Sequence, residues 1–254
     1  MMGWRGFYAF LRREVKKFLE AWKITLVPSI VTQALYITVF GGILSTHIRN
    51  MQGFSYIDFI LPGVILLGAS LTSFNNSTFT VFYGRRNKHI NEVLTSPLSY
   101  TEIMLGYITA SLLRGFLVGT GITAVALLFT SLKILNPLIF GLFFLLSVVL
   151  FSSFGAMVGL WAEEFEDTTV FTNFLLTPLI FLGGVFYSIK SLPTFWQNVS
   201  YLNPLVYMVN GLRYGMLGYT DINISTALAL LVSFTAVFLS ATWILFQNGY
   251  GLQE

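Results

Sequence analysis

Six long runs of apolar residues constrain this chain more than any other feature of its sequence. Arg114 is the one charged residue inside them, and they cover residues 24–44, 59–82, 103–129, 138–161, 170–187 and 225–246. A helix needs about 20 mostly apolar residues to cross the hydrocarbon core of a bilayer. Only 10% of the residues are charged, against about a quarter in an ordinary soluble domain. We therefore predict an all-α membrane protein with six transmembrane helices.

The distribution of Lys and Arg predicts the orientation of these helices, because cytoplasmic loops carry the excess of positive charge. With a cytoplasmic N-terminus, the inside segments hold Arg5, Arg12, Arg13, Lys16, Lys17, Lys23, Arg85, Arg86 and Lys88. The outside segments hold only Arg49, Lys133, Lys190 and Arg213. Both termini are therefore predicted to be cytoplasmic. The net charge of +3 reports this topology and does not indicate nucleic-acid binding.

Several kinds of chemistry are excluded or disfavoured by what the sequence lacks. Without Cys it has no disulfide or thiolate ligand, and its two His, His47 and His89, lie far apart. We predict no catalytic residue and no metal site. The apolar runs contain no Asp or Glu, which argues against a proton- or cation-driven transporter. No Gly-Lys dipeptide occurs, so the chain has no phosphate-binding P-loop, and any uphill transport needs energy from another chain.

The N-terminal segment, residues 1–23, is predicted to form an amphipathic helix on the cytoplasmic membrane surface. Its apolar residues recur at spacings of three and four, with basic residues on the other side. The apolar set is Trp4, Phe7, Leu11, Val15, Phe18 and Trp22, and the basic set is Arg12, Arg13, Lys16 and Lys17. The segment is either a simple interfacial anchor or a docking surface for a cytoplasmic partner.

Residues 83–99, between the second and third runs, are predicted to contain a short amphipathic helix closed by Pro97. The basic residues Arg85, Arg86 and Lys88 precede a helical pattern of Ile90, Val93 and Leu94. One interpretation is that the basic residues only enforce the positive-inside rule. The other is a contact site in which Ile90 and Leu94 insert into a groove on a partner.

The loop at residues 162–169 is acidic although it faces the predicted cytoplasmic side. Asp167 and Thr168 are natural N-cap residues for the fifth helix, and carboxylates there favour its dipole. Glu163 and Glu164 precede them. Helix capping and contact with a partner both remain open for this loop.

Arg114 lies about midway along the third run, where a charge costs at least about 3 kcal/mol. Its side chain leans toward the N-terminus of its helix and so toward the inner half of the membrane. The second run places Asn75, Asn76 and Ser77 at that depth. Arg114 is predicted either to form a structural hydrogen-bond clamp with them or to line a transport pathway.

Two glycine pairs predict close packing of the third and fourth runs. Gly115 with Gly119, and Gly155 with Gly159, match the small-xxx-small spacing that lets helix backbones approach.

Residues 183–221 are predicted to stay on the outer side. The stretches 192–202 and 204–217 are too short to cross a bilayer, and a turn at residues 202–204 separates them. We predict two short helices that dip into the outer leaflet, sheltered by neighbouring helices. An interfacial loop rich in aromatic residues is the alternative.

The residues of this outer segment resemble the signature of the type-two ABC transporter permeases, the membrane subunits of bacterial ATP-driven exporters. The matching residues are Leu182, Gly183, Val185, Leu192, Pro193, Pro204, Leu205, Val206, Tyr207 and Arg213. The resemblance extends over the whole chain. Within the family, the chain is most similar to half-size permeases grouped with drug, lipid or lipo-oligosaccharide exporters.

This resemblance implies a role for each part of the chain. Residues 1–23 would be the connecting helix, residues 24–254 the six-span transmembrane domain, residues 83–99 the coupling segment, and residues 183–221 the re-entrant roof of the pathway. Two copies of the chain would pair in the bacterial inner membrane above two cytoplasmic ATPase subunits. ATP and Mg would be bound by the ATPase and no cofactor by this chain, and a hydrophobic, lipid-like or glycan-containing substrate would leave outward.

The resemblance and the residue patterns together give the candidate site residues. Those expected to couple to the ATPase are Arg12, Arg13, Lys16, Arg85, Arg86, Ile90, Glu92, Leu94, Pro97, Glu163 and Glu164. The intramembrane polar residues are Asn75, Asn76 and Arg114. The rival functions are a passive pore, which should show a polar ring along one helix face, and a membrane-embedded enzyme, which should show an acid–base or nucleophile pair inside the membrane.

Overall fold

The computed structural model describes residues 4–44, 50–131 and 133–252. Arg49 and His47 lie outside these ranges. The described part is mainly helical, with one small antiparallel hairpin. In chain order the elements are α1 (Trp4–Glu20), α2 (Trp22–Thr25), α3 (Val27–Tyr36) with a π-helical continuation (Ile37–Ile43), β1 (Asn50–Met51), β2 (Phe54–Ser55), α4 (Tyr56–Arg86), α5 (His89–Leu94), α6 (Tyr100–Ala126), α7 (Pro137–Trp161), α8 (Phe165–Val170), a π-helical segment (Phe171–Leu176), α9 (Thr177–Phe181), a 3₁₀ turn (Ile189–Ser191), α10 (Thr194–Ser200), α11 (Pro204–Leu217) and α12 (Ile224–Gln247).

Five helices in the described part of the chain are long and apolar enough to cross a membrane: Trp22–Ile43, α4, α6, α7 and α12. The fifth apolar run forms a shorter helical stretch, residues 165–181, in which α8, the π-helical segment and α9 are continuous. It ends earlier than predicted because the chain turns at Gly184, whose φ of +69° is a left-handed conformation that favours glycine.

Helix α4 is the central element of the bundle. Its most apolar 18-residue window is 83% buried, against 17% for the corresponding windows of Trp22–Ile43 and α12. Helices α6 and α7 approach α4 through the predicted glycines: a Cβ at Gly115 would overlap Ser73, and one at Gly159 would lie 2.6 Å from the Thr78 carbonyl oxygen. The predicted close packing is therefore present, and its partner for both helices is α4.

The bundle has two distinct ends. The basic end carries α1, α5, residues 162–165 and the C-terminal turn; its core cluster includes Phe10, Ile90 and Leu252. The hairpin end carries β1 and β2 together with residues 127–131, 133–136 and 182–223. There Asn136 N–H donates to Gly215 O at 2.8 Å, which ties the α6–α7 connection to α11.

Within the protein, helix α1 buries a face that includes one residue of the predicted apolar set, Phe18. Phe10, Glu14 and Phe18 are buried, whereas Phe7, Leu11 and Val15 are half-buried and Trp22, just beyond α1, is exposed. The Phe10 ring packs edge-on against Tyr107 of α6 at 5.2 Å. Packing against α6 therefore selects the buried face of this helix.

Candidate functional site

Arg114 is held by α4 and by the start of the first spanning helix. Its Nη1 donates to Asn76 Oδ1 at 2.5 Å and its Nη2 to the Thr25 carbonyl at 2.7 Å. Asn76 Nδ2 donates in turn to Ser111 Oγ at 2.9 Å. The Arg114 Nε is buried and has no hydrogen-bond partner within the described residues.

The structure therefore brings together two of the polar residues singled out from the sequence, Arg114 and Asn76. Asn75 is half-buried and makes no side-chain hydrogen bond in the ranges described. Ser77 is buried, and its hydroxyl likewise lacks a partner there. Within those ranges Arg114 has no carboxylate at ion-pair distance, so only neutral groups solvate its charge.

A cavity of about 270 Å³ extends from Arg114 to the basic end of the bundle. Its walls come from α1, α4, α5 and α6. The lining residues are Arg13, Glu14, Lys17, Asn76, Phe79, Thr80, Tyr83, Gly84, Asn87, His89, Val93, Tyr107 and Arg114. On α4 they recur at three- and four-residue spacings, so one helix face forms the wall.

Helix α5 is anchored to the bundle by its apolar residues. Ile90 is 2% exposed and Val93 5%, while Leu94 is half-buried. The prediction that Ile90 inserts into a partner is therefore wrong: its side chain fills the core of its own chain. The surface that α5 presents consists of His89, Asn91 and Glu92, followed by the exposed Pro97.

Arg85 and Arg86 have different environments although they are adjacent. The Arg85 guanidinium donates to the carbonyls of Gly159 at 3.0 Å and Ala162 at 3.1 Å, and also to those of Leu160 and Gly251. It thus satisfies the last carbonyls of α7 and fixes the C-terminal turn. Arg86 is exposed. Of this pair, Arg86 is the residue available to a partner.

The acidic loop caps α8, but with a different residue from the predicted one. The N-cap is Glu164, and Asp167 completes a capping box; its Oδ2 accepts from the backbone N–H groups of Glu163 and Glu164 at 3.0 Å. The prediction of Asp167 or Thr168 as N-cap is therefore wrong by three or four positions, because α8 begins at Phe165. The side chains of Glu163 and Glu164 are exposed.

Helix α1 is linked to α5 at the basic end. Arg13 Nη2 lies 3.6 Å from Glu92 Oε2, and Lys17 Nζ lies 2.6 Å from the buried Glu14 carboxylate. Arg12 and Lys16 are exposed. The basic residues of α1 therefore form two sets, one bordering the cavity and one facing outward.

A second buried arginine lies at the hairpin end. Arg213 of α11 is 0% exposed; its Nη1 lies 3.7 Å from Asp221 Oδ2, and its Nη2 donates to Gly184 O at 2.8 Å. Its guanidinium carbon lies 3.8 Å above the Phe59 ring, and its Nε donates to Phe59 O at 3.2 Å. Sequence reasoning placed Arg213 among the outer basic residues and missed this burial.

Asp221 is the residue at the hairpin end that sequence reasoning overlooked. It accepts from Ser188 Oγ at 2.6 Å, from the Ile189 N–H at 3.0 Å and from Tyr219 Oη at 2.8 Å. Burial is the main cause, and the hydrogen bond to Asp221 the second, of a rise in the pKa of Tyr219 to about 12. Asp221 is the single acidic residue of 183–221, which is the sequence signal that could have paired it with Arg213.

The other signature residues shape the backbone around this ion pair. A Cβ at Gly183 would lie 3.0 Å from Leu205 Cβ, and Pro193 precedes α10. Pro204 opens α11 behind the N-cap Asn203, and Tyr207 Oη donates to Tyr201 O at 2.5 Å. Close contacts and helix starts thus account for these positions locally.

Comparison with known proteins identifies the family. The ABC-2 type transporter family matches residues 5–217. The chain is 38% identical to the inner membrane transport permease YadH of Escherichia coli (strain K12), over 99% of this chain and 98% of that protein. It is 24% identical to nodulation protein J of Rhizobium meliloti (strain 1021), over 92% and 90% of the two chains. Together with the apolar helices, these matches confirm the resemblance seen in the sequence: the chain belongs to the ABC-2 type transporter family and is a membrane transporter subunit that crosses the bilayer several times.

Proposed function

We propose that this chain is the permease subunit of an ATP-binding-cassette exporter. Two copies would pair in the bacterial inner membrane with both termini cytoplasmic, and two copies of a separate ATPase subunit, which binds ATP and Mg, would dock beneath the basic end. The name of the relative YadH, an inner membrane transport permease, supports the location and the class. The substrate is proposed to be hydrophobic, lipid-like or glycan-containing, and to leave outward.

The observation that carries this proposal is the way α5 is built into the bundle. Ile90 and Val93 are buried, and Glu92 pairs with Arg13 of α1. A force applied to the exposed side of α5 would therefore pass to α1, α4 and α6 without first deforming a loop. This is the property that a coupling helix needs, and it supports residues 83–99 as the coupling segment and residues 1–23 as the connecting helix.

The geometry also supports six spans with a re-entrant outer pair. Residues 165–181 form about 25 Å of helix, which covers most of a hydrocarbon core about 30 Å thick. Helix α11 is about 21 Å long, too short to cross, and most of its residues are buried. We assign residues 165–181 as the fifth of six spans within residues 24–254, and α10 and α11 as the re-entrant pair within residues 183–221.

Mild detergent extraction of the tagged chain from its native membranes tests this function. We expect an ATPase subunit to co-purify in a one-to-one ratio. Arg86→Glu should reduce recovery of the ATPase on the order of tenfold, because reversing the charge at a docking contact removes its electrostatic complementarity to the partner. The matched control is Lys190→Glu at the hairpin end, where recovery should not change. Repeated recovery of the chain alone, with added nucleotide, would replace the exporter with a passive pore.

A further inference from the structure

The cavity between α1, α4, α5 and α6 combines charge and apolar surface in a way that selects one class of ligand. Three cationic side chains, Arg13, Lys17 and Arg114, line it together with a single carboxylate, Glu14. We propose that this cavity binds the anionic headgroup of an amphiphile from the adjoining leaflet. The recognised chemistry is a phosphate, sulfate or carboxylate group attached to an apolar tail.

The charge balance of the cavity favours an anion. Lys17 is neutralised by Glu14 at 2.6 Å, and Arg13 is partly neutralised by Glu92 at 3.6 Å. Among the residues that the structure describes, Arg114 has only Asn76 and the Thr25 carbonyl as partners. Because a cation inside a membrane costs several kcal/mol unless it is paired, the uncompensated charge of Arg114 favours an anionic ligand over a neutral one.

The shape of the cavity favours an amphiphile over a free anion. From Asn76 to Asn87 the lining face of α4 is roughly 16 Å long. The cavity therefore extends from a level inside the second apolar run to the basic end. Phe79, Tyr83, Val93 and Tyr107 supply apolar wall between the charged groups. Phe79 and Thr80 are half-buried and Tyr83 is exposed, so one side of the cavity is open along α4 where the second apolar run meets the basic end. A tail can leave by that side while the headgroup stays among the cations.

This inference rests on the proposed function for one point, that the basic end faces the cytoplasm and the cavity therefore opens to the inner leaflet. The occupant is then either a cargo amphiphile at the start of its path or a resident bilayer lipid. Both share the anionic headgroup, and the experiment distinguishes them from each other and from a soluble anion.

Photo-crosslinking at the mouth of the cavity tests the inference on the full chain. Tyr83→p-benzoylphenylalanine keeps an aromatic side chain at an exposed lining position. The chain is reconstituted without an ATPase into phosphatidylcholine vesicles that contain phosphatidylglycerol, irradiated, and analysed by mass spectrometry. Relative to its mole fraction, phosphatidylglycerol should be captured on the order of tenfold more efficiently than phosphatidylcholine, a ratio equivalent to about 1.4 kcal/mol. Equal capture of the two lipids would overturn the inference.

Charge variants show whether the named residues cause the selectivity. Lys17→Gln should reduce it severalfold, and Arg114→Gln further, while Arg114→Lys should retain most of it if Arg114→Gln fails to fold. Arg5→Gln is the matched control, because Arg5 is an exposed cation of α1 that does not line the cavity. An equal loss in Arg5→Gln would show general surface attraction and overturn the site.

Two further arms separate the sources of the ligand. Inorganic phosphate that competes with phosphatidylglycerol at equal concentration would show a free-anion site and contradict the amphiphile. Addition of the ATPase and ATP should lower capture if the bound lipid is cargo and leave it unchanged if the lipid is resident; either result keeps the headgroup site. Because the binding measurement needs no ATPase, failure to find an ATPase partner would overturn the exporter and leave this result standing.

Discussion

The two buried arginines of this chain are solvated in opposite ways. Arg213 is fully enclosed and has a carboxylate, two carbonyls and an aromatic face as partners. Arg114 has two neutral oxygens and an adjacent cavity. Each guanidinium keeps one buried nitrogen without a hydrogen bond in the part of the chain that the structure describes, Nη1 of Arg213 and Nε of Arg114. Both lie within the helical bundle, yet in the described ranges only Arg213 has a carboxylate at ion-pair distance.

This difference separates a structural role from a binding role. A buried ion pair supported by several hydrogen bonds fixes the elements that it joins, and removing one partner leaves a buried charge. A cation without an internal counter-charge stabilises its own fold less and attracts an external anion instead. We therefore expect variants of Arg213 and Asp221 to affect stability first, and variants of Arg114 to affect binding and transport first.

Loss of the Asp221 carboxylate should have the largest effect on stability. Asp221→Ala leaves Arg213 buried without its counter-charge and removes acceptors from Ser188, Ile189 and Tyr219. We expect a loss of about 3–5 kcal/mol, measured by thermal or denaturant unfolding in detergent. The double variant Arg213→Met with Asp221→Leu should recover part of this loss. An Asp221→Ala protein as stable as the parent would show that the pair does not hold the hairpin end together.

Removal of the Arg114 guanidinium should cost less stability and more function. Arg114→Ala leaves Asn76 Oδ1 without its donor, at a cost of about 1–3 kcal/mol, but it also removes an uncompensated buried charge. We expect a smaller net loss than for Asp221→Ala. Co-purification of the ATPase should survive, and outward transfer of a fluorescent anionic lipid from reconstituted vesicles should fall on the order of tenfold. Loss of ATPase co-purification would assign Arg114 to assembly, and unchanged lipid transfer would remove it from the transport pathway.

A third arginine, Arg85, is expected to have a structural role like that of Arg213. Its guanidinium donates to three carbonyls at the end of α7 and to one carbonyl in the C-terminal turn, so it joins the two. Arg85→Gln should lower stability by about 1–3 kcal/mol, whereas Arg86→Gln should change it by less than about 0.5 kcal/mol, as is usual for exposed sites. Unfolding of the two variants side by side measures the contrast. Equal stability would return Arg85 to the residues available to an ATPase.

The sequence predicted the contact of one buried arginine, Arg114, and missed that of the other, Arg213, for a physical reason. The Arg114–Asn76 contact follows from the depth of each residue in its apolar run and from the known lean of helical side chains. The Arg213–Asp221 pair depends on the fold of an irregular segment, since Gly184 supplies a carbonyl and Ser188 a hydroxyl. Hydropathy carries no information about such a segment.

The positions of the helices were predictable from the sequence, whereas the faces that they bury against each other were not. Apolar runs located the five long helices of the described ranges, because the bilayer requirement acts on each segment separately. The burial of Ile90 and of the Phe10 face of α1 depends on contacts between segments. These contacts decide which residues stay exposed. On α5 they bury Ile90 and leave His89, Asn91 and Glu92 as the surface that a partner can reach.

The ion pair between Arg13 and Glu92 should have the smallest effect on stability. Its side chains are 42% and 67% exposed at a separation of 3.6 Å, and exposed pairs contribute about 0–1 kcal/mol. Arg13→Gln should therefore leave unfolding almost unchanged, while Glu92→Gln gives the matched loss of the partner. If coupling passes through α5, both variants should nevertheless lower ATP-driven lipid transfer relative to ATP hydrolysis, which reconstituted vesicles measure together. A stability loss as large as that of Asp221→Ala would mean that an exposed ion pair stabilises the fold as much as a buried one. Charge compensation would then not explain the different roles of Arg213 and Arg114.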